Sequence, residues 1–412
     1  MKILIITQNY IPEPDPKMHI LAKGLVMRGH EAVVLTGFPN YPQGKIYPGW
    51  RQKIWQKEIV DGVKIIRVPL FPNRGRSAFL RAINYLSFPL AASILGPFLC
   101  GRTDVIMAYH PPITLGIPAL ILSKIKKAPF VFEIQDMWPE TLSATGMVSN
   151  RLTLGVVARL ARFIYKKAAA ITVISPGFGE NLRQKGVDPQ KIKVFYNWAY
   201  EGEFLPVAAD SQLAEKWGMA GRFNVLYAGN MGPAQGLLNV IAAAALLKSI
   251  SKIQFVFVGG GIDKKMLETA AAEKKLANVR FLPRIPMADM PKLYALSEAV
   301  LVHLVDNPLF KITIPGKTQS SLLSGRPVII SVAGDAADLI LSAKAGLAAT
   351  PMNAASLARV VKKLYDMKDD ERKKIGAAGR DYYFKYLCPQ VQIEKYEELF
   401  DLILKTKNKD AD

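Results

Sequence analysis

Cysteine is scarce: Cys100 and Cys388 are the only two in 412 residues, and neither has metal-ligand spacing around it. That excludes a disulfide framework and a cysteine-built zinc site, and it fits a reducing compartment. Acidic residues are also in short supply, 34 Asp+Glu against 54 Lys+Arg, which leaves a formal net charge of +20. Such a field draws anionic partners: nucleic acid, anionic lipid or phosphorylated metabolites. The cations are scattered and not interleaved with aromatics, so nucleic acid is the least favoured of the three. No apolar run reaches the roughly 20 residues that span a bilayer. The longest, "LSFPLAASILGPFLC" from Leu86 to Cys100, contains Pro89 and Pro97. It reads either as a buried or half-buried helix or, with Arg74, Arg76, Arg81 and Arg102 around it, as a patch that lies on a membrane or grips a lipid. The N-terminus "MKILIITQNY" enters a strand pattern without a signal-peptide cleavage site, so a cytoplasmic protein is expected.

What the chain does have is a long series of short apolar runs separated by helix-like stretches. "KILIIT", "EAVVLT", "VKIIRV", "DVIMA", "PFVFEI" and "AAITVI" form a first series, and "FNVLYAG", "IQFVFVGGG", "VRFL", "AVLVHL" and "RPVIIS" a second. Continuous apolar strands alternating with helices signal parallel sheets. Length and repetition together predict an α/β protein with two Rossmann-like, doubly wound domains and a cleft between them as the default ligand site. The expected boundaries are 1–200 for the first domain and 201–385 for the second. A C-terminal helix and tail, 386–412, is expected to pack back on the first.

Three strand ends of the second series run into glycine or proline–glycine: "YAGNMGPAQGL", "VFVGGGIDKKM" and "PLFKITIPGKTQ". Glycine there lets backbone N–H groups approach a ligand at the carboxyl edge of a sheet, although a lone glycine after a strand is mostly turn chemistry. None of these loops is G-x-G-x-x-G or a P-loop. In "IPGKTQSSLLSGRPVI" a helix begins just after a proline and a glycine. Pro315 suits a first helical turn, and Gly316 and Lys317 would present N–H groups and a positive charge where the helix dipole is positive, an arrangement that suits a diphosphate. The bland alternative is an ordinary junction capped by a residue such as Thr313.

Read together, "GHEAVVLTGFPNYPQGKIYPGW", "EIQDMWPET", "ITVISPGF", "KIKVFYNWAYEGEF", "VLYAGNMGPAQGL" and "IPGKTQSSLLSGRPVI" resemble glycosyltransferase family 4 along essentially the whole chain, and within it the branch similar to L-fucosamine transferases of O-antigen and capsule synthesis. The resemblance implies a GT-B fold, retention of anomeric configuration, a nucleotide-diphosphate sugar donor, expected to be a UDP-sugar, and no metal or other cofactor. The one Asp-x-Asp, Asp410 and Asp412, lies in the tail. Charge on the leaving diphosphate must then be met by helix termini and side chains, with Lys317 first among them. The resemblance places Gly229, Asn230, Gln235, Gly236, Gly260, Arg284, Pro315, Gly316, Gln319 and Ser320 around the donor. Two glutamates usual in the family are replaced here by Ile312 and Ser320, and a frequent basic pair by Asn230 and Gln235. A serine can still hydrogen-bond a ribose hydroxyl, more weakly than a carboxylate.

In the first domain the loop "NYIPEPDPKMHIL" is expected to close over the cleft. Many relatives carry glycine where Asp15 and Pro16 stand; Pro16 has no N–H to offer, so Lys17 or His19 would compensate. His110 follows a strand at the cleft edge, where relatives place sugar contacts, and otherwise reads as a loop hydrogen-bonding residue. Asp136 and Glu140 in "DMWPE" could orient an acceptor hydroxyl, or simply mark a helix start with a proline. His303, inside an apolar strand, reads as core.

His110, Asp136 and Lys317 are therefore the candidate catalytic residues. The expected reaction is front-face transfer of a sugar, an N-acetylated amino- or deoxyaminosugar, to a polyprenyl-diphosphate-linked saccharide at the inner membrane surface, which needs no carboxylate nucleophile. A second class of reading is a non-catalytic nucleotide-sugar-binding partner in a polysaccharide assembly complex, which the missing carboxylates favour. A dinucleotide-dependent oxidoreductase fails, because "QNYIPEP" and not a glycine fingerprint follows the first strand.

Overall fold

The computed structural model describes residues 1–75, 77–144, 146–200 and 205–409. Arg76, Asp410 and Asp412 lie outside the described residues, as do residues 201–204, where the second domain is expected to begin. The chain forms two compact units, Met1–Phe195 with Gln392–Asp412, and Tyr196–Val391.

In the first unit the strands are β1 (Lys2–Ile6), β2 (Glu31–Gly37), β3 (Gln56–Val60), β4 (Val63–Val68), β5 (Val105–His110), β6 (Phe130–Ile134), β7 (Ala170–Val173) and β8 (Ile192–Val194). They form one sheet in the order β3-β4-β2-β1-β5-β6-β7-β8, parallel except for the β3–β4 hairpin. Helices cover both faces of the parallel part, which is why β1, β2, β5 and β6 are mostly apolar and almost fully buried. Ser175 and Asn150 cap two of the helices, accepting from the N–H groups of Phe178 (3.2 Å) and Thr153 (3.0 Å).

The apolar segment around Leu86 is a half-buried helix, one of the two readings of the sequence, but it is longer than that segment. It lies in a helix that runs from Ala78 to Leu99 straight through Pro89 and Pro97. Its 22 residues make it the one helix among those described that is long and apolar enough to cross a membrane. It is nonetheless packed into the fold along one side, where Asn84, Phe88, Pro89, Ala92 and Gly96 are buried.

The second unit holds β9 (Phe223–Asn230), β10 (Ile253–Gly260), β11 (Val279–Leu282), β12 (Ala299–His303), β13 (Val328–Ser331) and β14 (Gly346–Ala348). Their order, β11-β10-β9-β12-β13-β14, is fully parallel and reverses direction between β9 and β12. A doubly wound sheet binds ligands outside the carboxyl ends of its strands at such a reversal.

The last helix, Pro389–Lys409, belongs from Gln392 onward to the first unit. Tyr396 donates from its hydroxyl to Glu133 inside that unit, and Glu397 receives Arg28 (3.1 Å) and His30 (2.8 Å).

Candidate functional site

The register of β9 on β10 sets Gly229 beside Gly259 and Asn230 beside Gly260, so two glycine-bearing strand ends lie together. They open into a cavity of about 560 Å³ at the carboxyl edge of the second unit, whose other walls include Arg284, Tyr294, Lys317 and Ser320. Gly259 is needed for the approach itself: its φ is +129° and an added Cβ would lie 2.2 Å from the Gly229 carbonyl. Gly260, by contrast, has nothing within 4 Å where a Cβ would stand. Gly259→Ala is therefore expected to destabilise the protein by at least about 1–3 kcal/mol. Gly260→Ala should leave the melting temperature within the scatter of ordinary surface changes while narrowing the cavity. Calorimetry on the pair decides the matter, and equal melting temperatures would refute the assignment.

Lys317 opens the helix Lys317–Leu323, with Gly316 as its cap residue. Its ammonium lies 4.1 Å from the centre of the Tyr227 ring and donates to the Tyr227 hydroxyl at 2.9 Å. That hydroxyl in turn donates to the Asn230 carbonyl at 2.6 Å. Among the described residues Lys317 makes no ion pair. Burial lowers its pKa to about 8 and holds the Tyr227 phenol well above its ordinary range, so tyrosine stays protonated and lysine is a desolvated cation without a counter-charge. Such a group is an anion-binding site in the making. Tyr227 was not singled out from the sequence; a tyrosine in an otherwise apolar strand, whose hydroxyl must find a partner, was the signal available.

Several expected donor contacts serve the loop instead. Gln235 accepts from the N–H of Gly232 and the amide of Asn230, both at 3.1 Å, so it holds its own turn together. The next residue, Gly236, packs against Met352 and Val305. Gln319 is buried, and with its amide nitrogen turned toward them it donates to the carbonyls of Pro315 (3.0 Å) and Gly316 (2.9 Å). Pro315 precedes the cap instead of occupying the first helical turn, and neither it nor Gly316 is a cavity wall. Thr313 is not the cap either, since its hydroxyl donates back to Leu309. His303 is buried, donating to the Gln235 carbonyl (2.7 Å) and meeting Asn239 (3.0 Å), with its pKa lowered to about 4 by burial.

In the first unit, Lys17 does not compensate for Pro16. Its ammonium is buried 2.7 Å from Glu133 Oε1, a pair that leaves no charge to offer a phosphate. His19 is likewise engaged, by Tyr10 (2.8 Å) and Asp61 (3.0 Å). Asp15 is exposed and accepts from the Lys17 N–H at 3.0 Å, which starts the helix there. Glu13 pins the loop by accepting from the N–H groups of Tyr10 (2.9 Å), Asn40 (2.7 Å) and Tyr41 (2.7 Å).

His110 ends β5, 1% exposed, with its ring edge-on to Trp138 at 5.3 Å and neither nitrogen partnered. Burial drives its pKa down to about 3, so it is a neutral hydrogen-bonding group and not an acid–base shuttle. Asp136 is half-buried, which raises its pKa. Glu140 stands at the start of a short helix, Glu140–Ala144, 2.6 Å from Lys185.

A glycine-lined carboxyl edge beside a buried cation without a carboxylate, in a chain of two doubly wound units, suits the phosphates of a nucleotide ligand. Residues 16–198 match the glycosyl transferase 4-like domain, and residues 212–382 match the glycosyl transferases group 1 family. The chain is 30% identical over 318 residues to the putative colanic acid biosynthesis glycosyl transferase WcaI of Escherichia coli K12, covering 73% of this chain and 76% of that protein. It is 24% identical over 299 residues to the probable glycosyltransferase WbjE of Pseudomonas aeruginosa, covering 72% and 74%. The crystal structure of Anabaena HepE in complex with UDP is similar with a TM-score of 0.70 at 18% identity, over 97% of this chain and 100% of HepE. The chain belongs to the family 4 glycosyltransferases, which have the GT-B fold, retain anomeric configuration and draw on nucleotide-sugar donors.

Proposed function

We propose that this glycosyltransferase moves an N-acetylated amino- or deoxyaminosugar from a UDP donor to a polyprenyl-diphosphate-linked saccharide in O-antigen or capsule synthesis, at the cytoplasmic face of the inner membrane, in the branch that resembles L-fucosamine transferases. The observation that carries the reading is the Lys317 ammonium, desolvated and without a carboxylate, at a cavity whose backbone edge is open at Gly260. The description of WcaI as acting in colanic acid biosynthesis and the UDP found with HepE support the polymer and the base.

In this reading Gly229, Asn230 and Gly260 bring backbone to the diphosphate, Arg284 stands at the base end and Ser320 meets the ribose. The acceptor hydroxyl forms its bond to the anomeric carbon on the face from which the diphosphate departs. Its proton passes to the departing phosphate oxygen, and Lys317 stabilises the charge released there. His110 acts as a neutral hydrogen-bond partner and Asp136 orients the acceptor.

A panel of UDP, GDP, ADP and TDP compounds tests the donor. A site filled at 100 times its dissociation constant stabilises by about 2.7 kcal/mol, and only UDP compounds should do so. No shift with any of the four would sink the reading. Donor hydrolysis and transfer then separate an enzyme from a nucleotide-sugar-binding partner without activity, the alternative that Ile312 and Ser320 keep alive.

The pH dependence has a definite sign. The diphosphate needs the protonated lysine, whose pKa stands lowered to about 8, so UDP affinity should fall as pH rises through about 8. Stability of the nucleotide-free protein should move the other way. Between about 8 and the ordinary lysine range the unfolded chain binds the extra proton, so this group makes stability rise with pH. Titrating both quantities across pH 7 to 10 checks the sign, and parallel trends would contradict it.

A further inference from the structure

We propose that three helices of the first unit form a single face that seats on an anionic lipid bilayer, a docking surface that rests on the lipid-linked acceptor proposed above. The helix Ala78–Leu99 packs on the helix Gly116–Lys126, which packs in turn on the helix Arg151–Lys167. The packing is close: Cβ atoms added at Gly96 and Gly116 would meet Leu122 at 3.2 Å and Ile164 at 2.4 Å. The first and third of these helices each carry an exposed apolar row. Phe79, Leu86, Leu90, Ile94 and Phe98 recur at helical spacing and are exposed, Phe98 to 85%. On the third helix Leu152, Val156 and Phe163 do the same, with Leu152 at 82%. Large apolar side chains exposed in rows on two helices are not the singly scattered apolar residues of ordinary surface.

Charge selects the occupant. From Arg74 to Phe132 the sequence has seven lysines and arginines and one acidic residue, Asp104, whose carboxylate already receives the Lys2 N–H (2.7 Å) and Arg102 (3.6 Å). From Thr141 to Gly179 it has five cations and no acid. Arg151, Arg159 and Arg162 are exposed beside the apolar stripe. Apolar side chains flanked by unopposed cations match the boundary between acyl chains and anionic headgroups. The long helix lies on the bilayer and does not cross it. Its inner side is tied into the unit, where Asn84 accepts from Gln8 (2.9 Å) and donates to the Phe71 carbonyl (2.6 Å).

The test is co-sedimentation of the full chain with vesicles of phosphatidylcholine alone and of phosphatidylcholine with phosphatidylglycerol. Binding should require the anionic lipid and weaken with salt. The exposed pairs Leu86→Glu/Leu90→Glu and Arg159→Glu/Arg162→Glu should each lower partitioning by about tenfold or more. Met27→Glu, at a site 79% exposed on another helix, should not. UDP-induced stabilisation, measured on the same preparations, reports folding and the donor site. Equal binding to both vesicle types, binding indifferent to both double variants, or protein that survives an alkaline carbonate wash in the membrane overturns the proposal. Vesicle binding as expected in a protein that ignores UDP supports the docking face and counts only against the donor reading.

Discussion

In Lys317→Ala protein the stabilisation by UDP is expected to disappear and the transfer rate to fall by about 10²–10³, the usual loss when a group that stabilises developing charge is removed. The unliganded variant should melt no lower than the parent, and this opposite sign makes the test sharp. A desolvated ammonium with a phenol, not a carboxylate, as its partner costs free energy in the empty protein, so alanine relieves a penalty there. Tyr227→Phe separates position from charge. It keeps the ring 4.1 Å below the ammonium but loses both the 2.9 Å contact and the hydrogen bond to Asn230. Its UDP affinity should fall about tenfold, the worth of one hydrogen bond to a charged group. If Lys317→Ala still responds to UDP like the parent, the diphosphate is not held there.

Breaking the buried charge pair of the first unit should have the largest effect on stability. Glu133 lies within β6, 1% exposed, with one oxygen on Lys17 and the other on Tyr396. Lys17→Ala strands that carboxylate in the interior, at a cost of about 3–5 kcal/mol. For a unit of this size that is a drop on the order of 10 °C in melting temperature. Lys17→Met/Glu133→Leu, which removes both charges and keeps the volume, should recover most of it, because two matched apolar groups escape the desolvation that two charges suffer. A single variant that loses under about 1 kcal/mol would falsify the view of a sealed pair.

Most of the two sheets could be read from the chain because parallel strands buried on both faces are nearly continuous apolar runs, as in "KILII", "VIMA" and, broken only by Glu133, "FVFEI". The strands that escaped notice, β3, β8 and β14, are all at sheet edges, where one flank meets solvent and the apolar signal thins to "QKEIV", "IKV" and "GLA". At the site, glycine and lysine were legible because their chemistry is local. Gln235, Gln319 and Lys17 were not, because a polar side chain beside a loop has two outlets, ligand or backbone, and only the folded geometry shows which one it takes. The long helix was underestimated for a similar reason: prolines suggest interruption, yet Pro89 and Pro97 sit in a helix held on one side by packing.

The return of the final helix to the first unit sets the order in which a nascent chain can mature. Lys17 and Glu133 leave the ribosome early, but Tyr396, which completes their buried network, is made 263 residues after Glu133. The second unit, Tyr196–Val391, is one continuous stretch, and all of it is made before the helix that joins the first unit from Gln392 onward. Until Tyr396 is made, one oxygen of Glu133 lacks the hydroxyl that meets it in the fold. Stalled or truncated chains ending near Val391 should then show a protease-resistant second unit attached to a sensitive first one, and quality control would read any C-terminal lesion as a fault in the half of the protein made first.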